Sequence, residues 1–261
     1  MPSCRQRLLT LLNLQGGHEP YGVAMTSSWP TSRSALVAAA TFVAASVVHL
    51  ATQLADSSGL LADVSKALLM PSLALALMSA VPAPRSRFVA GTLVALGFSF
   101  LGDVVPSFLT GDPSFLVIVG FFLLAQVTYI GTFWPLRRES VTEGRPLALL
   151  AYAAVFVALV AACRAGAGSL FVPVLVYGAA LTTMAVLATG VSRLAGVGGA
   201  VFMLSDSLIA LGQFTDLDLP LQGFWVMLTY LVGQAFIAAG VAARSAGSAR
   251  TGTTRHTASV G

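Results

Sequence analysis

The chain has 261 residues, of which 56% are apolar and only 9% are charged, and its mean hydropathy is +0.85. Soluble domains carry about 25% charged residues, so this composition indicates an integral membrane protein and excludes an ordinary soluble domain. The net charge of +4 does not indicate a nucleic-acid partner. The informative property is how the charges are distributed along the chain.

Eight apolar segments are long enough, at roughly 20 residues each, to cross a bilayer as helices. They fall near residues 35–53, 63–81, 88–108, 114–134, 146–163, 169–189, 196–214 and 221–243. Segments 147–160 and 221–241 are continuously apolar rather than alternating, which excludes a transmembrane β-barrel. The sequence therefore predicts an all-α polytopic membrane protein with one eight-helix domain over residues 34–244.

The basic residues predict the orientation of the spans. With a cytoplasmic N-terminus, 12 of the 14 basic residues lie in cytoplasmic loops or tails, as the positive-inside rule requires. The exceptions are Arg164, in an outer loop, and Lys66, within the second span. Both termini are therefore predicted to be cytoplasmic, in a cell membrane that we expect to be a bacterial inner or plasma membrane.

The two ends of the chain differ in composition from the spans. Residues 1–33 are predicted to form a disordered cytoplasmic extension, with Met25 as an alternative start, because their short apolar run does not resemble a cleaved signal. Residues 245–261 are rich in Ser, Gly, Thr and Arg and are predicted to form a disordered cytoplasmic tail. A disulfide is not expected, since Cys4 lies in the extension and Cys163 near the outer end of the fifth span.

Two aspartates lie inside apolar spans. Asp103 ends the sequence Phe-Leu-Gly-Asp in the third span, and Asp206 ends Met-Leu-Ser-Asp in the seventh. A carboxylate at that depth costs about 2.5–3.5 kcal/mol, so such residues usually face a bundle interior or a watery cavity. Their matching positions predict two four-helix halves related by a parallel repeat, with the two aspartates as catalytic residues.

Seven further polar side chains are candidates for binding a substrate. They are Lys66, Gln126, Tyr129, Tyr177, Ser205, Tyr230 and Gln234. Helical spacing puts Ser99 on the face of Asp103 and Tyr230 on that of Gln234, and one cavity opening toward the outer half would collect the candidates with the aspartates. Two alternatives stay open: a hydrogen-bond network that only locks the helices together, and, for Lys66, snorkelling of its ammonium to the interface.

Small residues predict close helix packing in two of the spans. The seventh span opens with several of them, including Gly198 and Gly199, and Gly97 and Gly102 flank the polar stretch of the third.

Several chemistries are excluded by the residues that the spans contain. Only His49 of the three histidines is near the bilayer, which is too few for a zinc hydrolase site. There is no Gly-x-Ser-x-Gly motif and no phosphate-binding loop. Acid–base hydrolysis or proton-coupled transport remains, with no metal and no cofactor expected.

Five segments together resemble the YhhN family of membrane proteins, whose animal members are lysoplasmalogenases. The segments are 66–71 (KALLMP), 98–103 (FSFLGD), 125–130 (AQVTYI), 199–206 (GAVFMLSD) and 230–234 (YLVGQ). The resemblance implies eight helices and hydrolysis of the vinyl ether bond of a lysoplasmalogen taken from the bilayer. The residues that match the family's pattern are Lys66, Asp103, Tyr129, Asp206 and Gln234. The chain departs from it at Ala67, where the family usually has Pro, and at Gln126, where it often has His.

The working hypothesis is that Asp103 and Asp206 share a proton. One carboxyl group would protonate the vinyl ether carbon, and the other would stabilise the resulting cation and activate water. Lys66 would pair with the substrate phosphate. The alternatives are a proton- or cation-coupled transporter that uses the same carboxylates, and a scaffold whose polar residues serve packing alone. The sequence leaves the oligomeric state open.

Overall fold

The structure is a computed structural model that describes residues 32–109 and 112–258, with side chains described for 32–109 and 114–247. Its long helices are α1 Arg33–Leu54, α2 Leu60–Ala80, α3 Arg87–Val104, α4 Asp112–Phe133, α5 Pro146–Cys163, α6 Phe171–Val191, α7 Arg193–Phe214 and α8 Gln222–Ala258. Short 3₁₀ segments, Val105–Phe108, Trp134–Glu139 and Gly168–Leu170, follow α3 and α4 and precede α6. All eight helices contain a stretch long and apolar enough to cross a membrane. The predicted all-α, multi-pass membrane fold is confirmed.

The chain ends lie partly beyond the described residues. Residues 1–31, including Met25 and Cys4, and residues 259–261 are outside them. Helix α8 continues as far as Ala258, so the described part of the predicted disordered tail has a helical backbone. The domain boundaries and the orientation of the termini stay predictions.

Two of the helices begin at a serine that caps the first turn. The Ser32 hydroxyl accepts a hydrogen bond from the Ala35 amide at 3.3 Å, and the Ser192 hydroxyl accepts one from the Ala195 amide at 3.0 Å. Both satisfy amides that have no partner within the helix. Pro146 occupies the first turn of α5, where its missing N–H costs nothing.

Helices α7 and α8 form the centre of the bundle. Half of each of their spans is buried (50%), against 6% for α5, which lies at the periphery. Each helix packs on the next one within each four-helix half, and α4 also packs on α6. Helix α8 packs on α1, α2 and α3. The aspartate-bearing helices α3 and α7 therefore both border α8.

The two halves are not equivalent at the centre. If α1–α4 and α5–α8 are equivalent halves, the contact of α4 with α6 corresponds to a contact of α8 with α2. Both contacts are present. The contact of α3 with α8 has no such counterpart, because within the described residues the backbones of α7 and α4 do not pack together. This difference gives Asp103 and Asp206 partners from different helices.

Glycines bring α7 and α8 into close contact. A Cβ atom on Gly198 would lie 2.7 Å from both the Gly233 carbonyl oxygen and the Ile237 amide nitrogen, and one on Gly102 would lie 2.9 Å from the Phe122 ring. The prediction of close packing is wrong for Gly97, where an added Cβ would meet nothing within 4 Å.

Candidate active site

Asp103 is held by a tyrosine from the last helix. Its carboxyl group is buried, and the Tyr230 hydroxyl donates a hydrogen bond to its Oδ2 at 2.9 Å. One turn earlier on α3, the Ser99 hydroxyl accepts a hydrogen bond from Gln234 Nε2 at 3.1 Å. Because α3 and α8 run in opposite directions, residues four apart on one helix pair with residues four apart on the other.

This α3–α8 pairing continues into α4. The Tyr129 hydroxyl donates to Gln234 Oε1 at 2.7 Å, so the Gln234 amide has a partner on both sides. Ser99, Tyr129 and Gln234 are all fully buried. Ser99 shares a helix face with Asp103 but was not among the candidates from the sequence. The network ties three helices together and fixes the phenol that binds Asp103.

Asp206 is held by a different tyrosine and borders a cavity. The Tyr177 hydroxyl donates a hydrogen bond to Asp206 Oδ2 at 2.5 Å. Both side chains line a cavity of about 70 Å³ between α4, α6 and α7, whose remaining lining is apolar and includes Leu159 of α5. Among the described residues, Asp206 and Tyr177 are thus the only polar groups exposed to this cavity.

The ring of Phe122 connects the surroundings of the two carboxyl groups. It lines the cavity beside Asp206 and contacts Tyr230, which binds Asp103, although no direct hydrogen bond joins the two aspartates in the described part of the chain. The rings of Phe122, Phe202 and Tyr230 contact one another edge to face, with centroids 5.5–6.3 Å apart. They form a rigid aromatic wall beside Asp103 at the centre of the bundle.

Lys66 supplies a positive charge on the Asp103 side of the site. Its side chain is half-buried on α2, and its charge acts on both Asp103 and His49. Within the described residues it forms no hydrogen bond or ion pair of its own. The His49 ring is held instead by Ser65, with Nδ1 and Oγ 3.2 Å apart.

Gln126 has a buried amide without a partner. The side chain is fully buried and lies beside Tyr177, but neither Nε2 nor Oε1 forms a hydrogen bond within the described residues. Buried amides in native proteins are nearly always paired. Its amide is therefore available to a water molecule or a substrate oxygen next to the Tyr177–Asp206 pair.

Ser205 forms a hydrogen bond between two helices. Its hydroxyl donates to the Val226 carbonyl oxygen at 2.9 Å and links α7 to α8. The predicted contact of Ser205 with a substrate stays a prediction, and the observed geometry gives the residue a packing role. Cys163 is a free, buried thiol.

Matched substitutions of Gln234 and Gln126 should have different effects on stability. Gln234→Leu removes two buried hydrogen bonds and should lower the free energy of unfolding by about 1–3 kcal/mol. Gln126→Leu removes an amide that has no partner and should leave stability unchanged or raised. Thermal unfolding of the detergent-purified variants measures both effects, and equal destabilisation by the two substitutions would contradict the assignment.

The sequence comparison decides the family. The YhhN family model matches residues 61–241, which include every candidate site residue. The chain belongs to the YhhN family. This YhhN chain is also 32% identical, over 142 residues, to proteins named lysoplasmalogenase from Mycobacterium bovis and Mycobacterium tuberculosis.

The similarity to these curated relatives is partial. The matched region covers 52% of this YhhN chain and 54% of each relative, so it spans about half of their length. No solved structure matches the chain. Within its described residues, no group of three or more His, Cys, Asp or Glu side chains is placed to hold a metal ion.

Proposed function

We propose that this YhhN protein is a lysoplasmalogenase-like hydrolase that cleaves the vinyl ether bond of a lysoplasmalogen. The observation that carries the proposal is the pair of buried aspartates, each bound by a tyrosine, with Asp206 open to an apolar cavity whose Phe122 wall contacts the tyrosine of Asp103. The partial similarity to two proteins named lysoplasmalogenase supports the same reaction.

The position of the cavity favours Asp206 as the acid. A bound substrate reaches Asp206 directly, because this carboxyl group borders the cavity and the described residues that line the cavity with it and Tyr177 are apolar. Asp103 lies outside this lining and is bound by Tyr230. Asp103 then serves as the carboxylate that stabilises the cation and accepts a proton from water.

The reaction balances with water as the only co-reactant. Asp206 transfers its proton to the vinyl carbon farther from the ether oxygen, and the C=C electron pair forms the new C–H bond. The carbon next to oxygen becomes an oxocarbenium ion, to which water adds while a carboxylate takes the water proton. The hemiacetal then breaks its C–O bond to the glycerol while its hydroxyl oxygen forms the C=O bond of the aldehyde. The glycerol oxygen takes the proton that Asp103 received from water, and the hydroxyl proton returns to Asp206. The products are a fatty aldehyde and a glycerophospho-head group.

The unpaired polar groups around the aspartates suit the remaining tasks. The free amide of Gln126, beside Tyr177, is placed to orient the attacking water. Lys66, with no ion-pair partner among the described residues, suits the substrate phosphate as a compact positive charge. Tyr177 and Tyr230 keep the two carboxyl groups in position.

The cavity holds only the reacting part of such a lipid. A cavity of 150 Å³ accommodates about one benzene molecule, so a cavity of about 70 Å³ cannot enclose a fatty chain. The chain must extend between helices toward the bilayer. Helix α5 is the wall best suited to move, because it contributes Leu159 to the cavity and has only 6% of its span buried.

A proton- or cation-coupled transporter is the second candidate function. The helix that carries Asp103 ends at Val104 and continues as a 3₁₀ segment that contains Pro106. Interrupted helices beside membrane-embedded acids are characteristic of transporters. Transport would use the same two carboxyl groups, so catalysis itself must be measured.

Aldehyde release by the purified protein tests the proposed function. The expected result is release from a lysoplasmalogen, in equal amount with the glycerophospho-head group. The matched control is the saturated alkyl ether analogue, which should release none because it lacks the double bond that accepts the proton. A folded protein that releases no aldehyde contradicts the proposal, and sodium- or proton-dependent uptake into proteoliposomes would then favour transport.

A further inference from the structure

A basic cleft lies between α5 and α7 at the end of the bundle opposite Asp103. It has a volume of about 730 Å³, and its lining includes Arg138, Arg145 and Arg193. Arg145 immediately precedes α5 and Arg193 begins α7, while Arg138 belongs to the 3₁₀ segment after α4. The cleft is therefore built from three separate parts of the fold.

The positive charge of this cleft is not neutralised by its own carboxylates. The side chains of Arg138, Arg145 and Arg193 form no ion pair or hydrogen bond within the described residues. Glu139 also lines the cleft, but both its oxygens accept hydrogen bonds from Arg244, at 2.9 and 3.0 Å. Glu143 is then the single remaining carboxylate in the lining, against three arginines.

An apolar groove continues from the cleft toward the middle of the membrane. This second space, of about 330 Å³, shares Tyr152 and Ala200 with the cleft and reaches Ser207 on α7. Its walls include Val155 and Leu204, which are 49% and 51% exposed because α5 and α7 pack only lightly here. The Tyr152 hydroxyl, at the junction of the two spaces, forms no hydrogen bond in the described part of the chain.

The cleft is positively charged and the groove is apolar, which matches the anionic head group and the acyl chain of a phospholipid. We propose that they bind an anionic glycerophospholipid, with its phosphate at Arg138, Arg145 and Arg193 and one acyl chain along the groove. Basic pockets between transmembrane helices bind such head groups, and arginine pairs with phosphate through two parallel hydrogen bonds. A soluble phosphate ester would fill the cleft and leave the groove exposed. The proposal does not depend on the proposed hydrolase activity.

Lipid retention by the purified protein tests this site. In native mass spectrometry, phosphatidylglycerol should be retained in preference to phosphatidylcholine with the same acyl chains. Arg138→Gln and Arg193→Gln should each reduce this preference about fivefold. The matched control is Arg164→Gln, which removes an exposed arginine from the other end of α5. Equal retention of the two lipids, or equal losses in all three variants, would overturn the proposal.

Two further measurements separate a lipid from a soluble phosphate ligand. Ala151→Phe fills the groove but leaves the cleft and the three arginines unchanged, because Ala151 lines the groove alone, and it should lower phosphatidylglycerol retention to the phosphatidylcholine level. Added glycerol 3-phosphate should not displace the lipid from the wild type. Unchanged retention in Ala151→Phe, or displacement by glycerol 3-phosphate, would show that the cleft recognises the head group alone and would overturn the proposed lipid site. Thermal unfolding confirms that each variant is folded.

Discussion

Asp103→Asn and Asp206→Asn should each lower aldehyde release from a lysoplasmalogen by about 10²–10⁴-fold, the usual contribution of a general acid or base. Asparagine keeps the size of the side chain and an oxygen that accepts the hydrogen bond from Tyr230 or Tyr177. It cannot, however, donate a proton to carbon or take one from water. Turnover should therefore fall while the fold is retained.

The control for these variants is an aspartate outside the site. Asp63→Asn alters an exposed carboxylate on α2 and should retain wild-type turnover. Steady-state aldehyde release gives the activities, and thermal unfolding in detergent confirms that each protein is folded. Full activity in either Asp103→Asn or Asp206→Asn would exclude the shared-proton mechanism. Loss of activity together with loss of the folded protein would instead assign the carboxyl group to packing.

The helices could be predicted closely because the bilayer imposes one dominant constraint. A spanning segment must be long, apolar and internally hydrogen-bonded, so its hydropathy alone marks it. The predicted fifth span, 146–163, coincides with Pro146–Cys163 in the structure. The fourth was predicted to end at 134, and α4 ends at Phe133, where the 3₁₀ segment with its charged residues begins.

The burial of the two aspartates inside the bundle could also be predicted, since charged residues in membrane spans are costly and therefore rare. Their partners could not, because these depend on how the halves pack. Gln126 and Tyr129 are three residues apart, and the sequence placed both in one cavity. In the structure, Tyr129 pairs with Gln234, whereas Gln126 lies beside Tyr177 without a partner. Helix neighbours share a face only approximately, and the adjoining helices decide which group each one meets.

Some of the polar candidate residues lock helices together, and others are available to bind a substrate. Tyr129 and Gln234 hydrogen-bond to each other and, with Ser99, lock three helices together. The side chains of Lys66 and Gln126 form no hydrogen bond within the described residues and are available to a ligand. Gln234 lies one helical turn from Tyr230. The hydrogen bonds of Gln234 therefore also help to fix the Tyr230 hydroxyl that binds Asp103.

The close contact of α7 with α8 should be the most sensitive packing feature of the bundle. Gly198→Ala places a Cβ atom 2.7 Å from backbone atoms of Gly233 and Ile237, and backbone cannot rotate away as a side chain can. The two helices must separate, at a cost of about 1–3 kcal/mol in the free energy of unfolding. Separation also lengthens the hydrogen bond from Ser205 to Val226, so aldehyde release should fall with stability.

The matched control for this substitution is Gly131→Ala on α4, where an added Cβ meets nothing within 4 Å. Alanine is the better helix former, so this variant should be as stable as the wild type or more so, by up to about 1 kcal/mol. Thermal unfolding of the two variants in the same detergent makes the comparison. Equal stability would mean that α7 and α8 stand farther apart than the structure places them. The positions of Asp206 and Tyr230 relative to each other would then need revision as well, since those helices carry them.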